Sequence, residues 1–94
     1  STNSPANLDL AIKELSTAIQ RDPEVLEGYL YLAQAYEKKG RTADAELTIA
    51  QSYFKAGAYE EAVRIAKRAQ SKFEPGSVGW RKADDIASYK KSDD

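Results

Sequence analysis

The 94 residues are 41% hydrophobic and 31% charged, with a net charge of −1; this describes a globular domain with no positive excess to draw a nucleic acid or a membrane surface. No apolar run is long enough to span a bilayer, so membrane insertion is not expected. Cysteine and histidine are absent, which removes disulfides, thiolate and imidazole metal ligands and the commonest general base.

Ser1 to Ala6 is polar and expected to be frayed. Methionine is missing, even at position 1, so the chain is expected to be a processed or excised piece of a longer protein. Asn7 can cap a first helix over residues 8–21. Its apolar stripe is Leu8, Ala11, Ile12, Leu15, Ala18 and Ile19. Asp22-Pro23 reads as a stop and a start together, because proline suits a first helical position. A second helix follows over 24–39, with Lys38 and Lys39 at its negative end and Gly40 to stop it.

Thr42 can cap a third helix over 43–56. This helix repeats its neighbours at two intervals. Ala33, Tyr36 and Gly40 recur 17 positions later as Ala50, Tyr53 and Gly57, and Ala11 and Leu15 recur 34 positions later as Ala45 and Ile49. It must therefore offer apolar side chains to both sides, and Leu47, Ile49, Ala50, Tyr53 and Phe54 are spread widely enough to do so. Gly57 supplies the left-handed turn into a fourth helix over 59–73. There Ala62, Ala66 and Ala69 form a stripe that lets helix axes approach closely. Arg64, Lys67, Arg68 and Lys72 give that helix a basic outer face, and Glu60 and Arg64 are spaced as an i,i+4 pair.

Glu74-Pro75-Gly76-Ser77 breaks the chain, and Ser77 can cap a fifth helix over 78–90. Trp80, Ala83, Ile86, Ala87 and Tyr89 give it an apolar side. The expected organisation is one helical domain over 7–90, a flexible segment over 1–6 and a polar tail over 91–94. No residue set points to catalysis. Glu60-Glu61 and Asp84-Asp85 are adjacent pairs, and neighbours on a helix point in different directions. There is no HExxH, no phosphate-cradling loop and no Ser/His/Asp set. The expectation is a chain with no catalytic residue, metal ligand or cofactor of its own.

The spacing of Ala50, Tyr53, Gly57, Tyr59, Ala62 and Ala69 resembles the tetratricopeptide repeat, a helical hairpin of 34 residues. Tyr29, Leu32, Ala33 and Tyr36 resemble its first-helix signature; Ala11, Leu15 and Ala18, with Pro23, resemble its second. Three positions depart from it. Glu46 stands where tryptophan is usual, Ala66 where phenylalanine or tyrosine is usual, and Asp84 where a small residue is usual. The first two imply a thin contact, and the third implies that the fifth helix closes the stack. The fold implied is all-α, a tetratricopeptide-type stack (α-solenoid) of about five antiparallel helices. Such stacks hold protein or peptide partners on their concave side. The matching positions are Glu27, Leu30, Gln34, Glu37 and Lys38 on the second helix, and Asp44, Leu47, Gln51, Phe54 and Lys55 on the third. Leu30, Leu47 and Phe54 have core packing as their alternative role.

The C-terminal half, KKGRTADAELTIAQSYFKAGAYEEAVRIAKRAQ followed by PGSVGWRKADDI, is similar to the end of the BepA-like periplasmic zinc metallopeptidases. In that family the repeat domain follows a catalytic domain whose HExxH holds the zinc. The resemblance implies a non-catalytic docking or substrate-recruitment domain in the periplasm. Its partners would be the outer-membrane assembly machinery or the parent protease domain, in the service of outer-membrane protein quality control. A general adaptor domain and a self-associating fragment are the alternatives.

Overall fold

A computed structural model describes residues 4–92. Five helices follow one another: α1 (Pro5–Arg21), α2 (Leu26–Lys38), α3 (Thr42–Lys55), α4 (Tyr59–Gln70) and α5 (Val78–Ala87). No strand occurs among the described residues, and no helix among them is long and apolar enough to cross a membrane. Consecutive helices pack as hairpins, and α5 also rests on α3.

Local chemistry moves several helix ends from their expected places. Ser4, not Asn7, caps α1: its Oγ accepts the Asn7 N–H at 3.3 Å. Pro5 then takes the first helical position, where its missing N–H costs nothing. Only residues 1–3 of the expected frayed segment lie outside the described residues. Pro23 does not open α2. It sits in a turn closed by the Val25 N–H donating to the Asp22 carbonyl at 3.2 Å, and the helix begins at Leu26. Thr42 is the first residue of α3 rather than its cap; Arg41 precedes it and donates through Nε to Asp44 Oδ2 at 2.9 Å. The fourth and fifth helices each stop three residues before their expected ends. Ser77 caps α5 as expected, accepting the Trp80 N–H at 3.2 Å.

The 17-residue interval has a backbone cause. Gly40 and Gly57 take φ of 79° and 81°, a region glycine enters without the penalty a Cβ imposes. At the first, the Arg41 N–H donates to the Tyr36 carbonyl and the Gly40 N–H to Glu37, both at 2.9 Å. At the second, the Ala58 N–H donates to Tyr53 at 2.9 Å and the Gly57 N–H to Phe54 at 3.1 Å. Both are the double-bonded helix stop in which a left-handed glycine satisfies the last carbonyls.

Five alanines, Ala50, Ala62, Ala66, Ala69 and Ala83, are 0% exposed at the meeting of α3, α4 and α5. One buried methyl contributes only about 0.8 kcal/mol. What the alanines chiefly supply is proximity, which lets Leu47 and Ile86 fill the core and Phe54, Ile65 and Phe73 close its edges. Phe73 lies so close over Gly79 that a Cβ there would overlap its ring. The other end is looser. Helix α1 packs on α2 alone, and Leu8 is its one buried residue; Ala18, expected in its stripe, is exposed. With α1 held by one neighbour the molecule is elongated, 52 × 28 × 17 Å.

Glu46 has a specific role. Its carboxylate, 12% exposed on α3, faces Arg68 Nε at 3.0 Å and Lys72 Nζ beyond the end of α4. The Arg68 approach is an ion-pair contact without hydrogen-bond alignment, which leaves Glu46 Oε2 short of a donor. Two of the four expected outer-face cations therefore turn back onto α3. Arg64 pairs with Glu61, at 2.7 Å through Nη2, and not with Glu60.

Candidate functional site

Successive residues of a helix are rotated by about 100°, so α3 presents Ile49 and Tyr53 to one side and Leu47 and Gln51 to another. Each side borders an open cavity. Toward α2, two adjoining cavities of about 180 Å³ and 330 Å³ share Leu30. The first lies among Leu26, Leu30, Ser52, Tyr53 and Ala56, and the second among Leu30, Ala33, Gln34, Glu37, Lys38 and Ile49. Leu30, Gln34, Glu37 and Lys38 thus come together on one groove, as i,i+4,i+7,i+8 spacing requires. Leu30 remains 55% exposed and Leu26 and Tyr53 39% each, and Val25, just before α2, and Tyr31 on it add further exposed apolar surface.

The α3 residues that the resemblance grouped with them lie elsewhere. Gln51, with Asp44 and Leu47, faces a cavity of about 450 Å³ on the opposite side. Its floor is Leu32 and Tyr36 of α2; its walls are Ser16, Ile19 and Gln20 of α1 against α3, and Val78, Gly79 and Lys82 of α5 close one end. Arg41 lies 4.7 Å above the Tyr36 ring while bonded to Asp44. Phe54 packs edge-on to Tyr59 and Tyr89, with centroids 5.0 and 5.2 Å away, and those tyrosines stack at 4.7 Å. Its role is to close the bundle. Leu47 is 5% exposed and belongs to the core as well as the cavity wall. Glu27 and Lys55 are exposed and border none of these cavities.

Leu26, Ala33, Ile49, Ser52, Tyr53 and Ala56 also line the α2 groove and were not among the expected partner-binding residues; of these Leu26 and Tyr53 are large, apolar and exposed. Tyr53 is expected among the apolar side chains that α3 offers to its neighbours, yet it sits in the groove lining and stays exposed. Leu26 had a signal: it is four residues before Leu30 and outside the buried set of Tyr29, Leu32, Ala33 and Ala35. Electrostatic perturbation is mild. The Arg64 hydrogen bond and charge hold the Glu61 carboxyl below the usual range, and burial, helped by Glu24, raises the Tyr29 phenol. Neither residue borders the α2 groove or the α1–α3 cleft. Comparison of the chain with protein-family models, curated proteins and solved structures found no match.

Proposed function

We propose that this domain is a non-catalytic docking module that holds a segment of another protein in the α2–α3 groove. The observation that carries the reading is the contiguous exposure of Leu26, Leu30 and Tyr53 around one groove. Leaving a leucine in water forgoes roughly 1.5–3 kcal/mol of burial. Lone exposed apolar residues are ordinary, but a grouped set around a groove marks a contact surface. Gln34, Glu37 and Lys38 rim it and supply the polar contacts that fix register.

The broader reading is the tetratricopeptide domain of a BepA-like periplasmic zinc metallopeptidase, recruiting substrates or docking onto outer-membrane assembly machinery. Its support is two resemblances: Ala50, Tyr53, Gly57, Tyr59, Ala62 and Ala69 carry the one to the tetratricopeptide repeat, and the doubled spacing of α3 with the PGSVGWRKADDI ending carries the one to the metallopeptidases. Zinc would belong to the catalytic domain of the parent protein, and no residue here is given a part in holding it. The test is binding of the purified chain to purified outer-membrane assembly proteins, with Leu30→Asp as the groove variant. The expected result is binding that Leu30→Asp weakens about tenfold or more. No binding by a folded chain, or binding indifferent to Leu30→Asp, overturns it. An HExxH upstream in the reading frame separates the protease from a general adaptor.

A further inference from the structure

Helix α1 packs on α2 alone among the described elements, so the rest of its surface is left without a neighbour. Leu10, Lys13, Glu14, Thr17, Ala18 and Arg21 recur along it at the spacing of one helix face and line an open depression of about 430 Å³. All six are exposed, Leu10 at 54%. Asp22, the C-cap of α1, continues the same stripe four residues after Ala18. The middle of the stripe is small and already satisfied: the Thr17 hydroxyl donates to the Lys13 carbonyl at 3.0 Å, so covering it strands no donor. The charged side chains are not satisfied. Among the described residues Lys13, Glu14, Arg21 and Asp22 take part in no ion pair.

The order of those charges decides what fits over the face. Along the stripe they run positive, negative, positive, negative at Lys13, Glu14, Arg21 and Asp22. A second copy laid parallel would set each charge against its own kind. A copy turned end for end does the opposite when the axis of rotation passes between Thr17 and Ala18. Glu14 and Arg21 stand equally far from that axis, as do Lys13 and Asp22. Each acid then meets a base of the other copy, and every contact is made twice, as a two-fold interface requires. Thr17 and Ala18 meet at the crossing, where short side chains let the helix axes approach. Leu10 lies outside the charged pairs, toward the turn after α1 in the other copy, where Val25 is 46% exposed.

We propose that α1 is a self-pairing face, through which two copies of this chain join antiparallel about a two-fold axis between Thr17 and Ala18. Glu14 of each protomer pairs with Arg21 of its partner, and Lys13 with Asp22. One helix face buries less than the roughly 1,200 Å² at which stable interfaces begin, so the pairing is weak and concentration-dependent. Added salt weakens it further, because its charges are exposed. The α2–α3 groove stays open in the pair.

The test is sedimentation equilibrium of the purified chain over a concentration series reaching about 1 mM, the range in which a weak interface fills. The parent is expected to pass from monomer to dimer. Glu14→Arg and Arg21→Glu should each lower the association constant about tenfold or more, by setting like charges together twice. Mixed in equal amounts, the two variants should dimerise with each other, since every contact between them is again between opposite charges. Lys13→Glu and Asp22→Lys repeat the experiment at the other contact. All four positions are exposed, and circular dichroism verifies that each variant folds. Leu30→Asp should dimerise as the parent does. A parent that stays monomeric throughout the series overturns the proposal. So do single variants that dimerise as strongly as the parent, or mixtures of folded variants that stay monomeric. Loss of the dimer in Leu30→Asp overturns it as well, by placing the second copy on the α2–α3 groove.

Discussion

Replacing Ala62 with leucine tests whether α3 and α4 are held together at the spacing described. Ala62 has 0% exposure and sits in one core with Ala50, Ala66 and Ala69. The substitution adds three carbon atoms at a site with no solvent boundary to expand into. Had the helices been spaced to leave room, those carbons would be buried productively, and a buried leucine is worth about 2 kcal/mol. With the alanines in contact the carbons instead force off-rotamer side chains or a shift of axes, costing about 1–3 kcal/mol. The two geometries thus predict opposite signs. For a domain of this size each 1 kcal/mol moves the melting midpoint by about 4–8 °C, so the expected drop is easily measured by circular dichroism. Ala18→Leu is the control, since Ala18 is exposed within α1 and leucine and alanine differ little in helix propensity. A rise in midpoint for Ala62→Leu, or a change no larger than that of Ala18→Leu, would refute the close approach of α3 and α4.

Three further outcomes follow from particular contacts. Gly79→Ala should lower the melting midpoint, because its Cβ would overlap the Phe73 ring; helix propensity alone predicts a gain of about 1 kcal/mol, so the sign decides. Leu30→Asp and Gln34→Ala should each leave the midpoint close to that of the parent, since both side chains are exposed, while weakening a partner held in the α2–α3 groove. In a carbon-detected carboxyl titration, Glu61 should lose its proton below the usual glutamate range and return to that range in Arg64→Ala. A carboxyl depressed in the folded state stabilises it above the ordinary pKa, and the contribution disappears as pH falls through the depressed value; a Glu61 midpoint unmoved by Arg64→Ala would remove the pair as the cause.

The helices were legible because their pattern and their stops agree. Gly40 and Gly57 are left-handed, and the alanine stripe is buried as its spacing requires. Helix starts were less legible, since several residues near each start can cap. Ser4 and Asn7 compete at α1, and the proline after Ser4 decides it. Pairings were ambiguous for a similar reason: Glu60 and Glu61 are both within reach of Arg64 on a helix, and only the rotamers choose. The candidate site was half legible. The α2 residues came together because one helix face keeps them together. The α3 set did not, because its members are spread around the helix and α3 has neighbours on several sides. Nothing in α1 announced that it would pack on α2 alone, because that depends on which tertiary contacts are absent.

The single-sided attachment of α1 gives the molecule an uneven resistance to opening. Amide hydrogens in α4, surrounded by α3 and α5, report the free energy of complete unfolding, whereas those of α1 exchange through a cheaper local event that detaches one helix from α2. The Asp9–Lys39 ion pair is a tether across that seam, and exposed pairs of this sort add little. Because α1 also carries the pairing face, a second protomer seated against it adds contacts that unwinding α1 would have to break. Slower exchange in α1 alone, growing with protein concentration, would be the signature of that pairing.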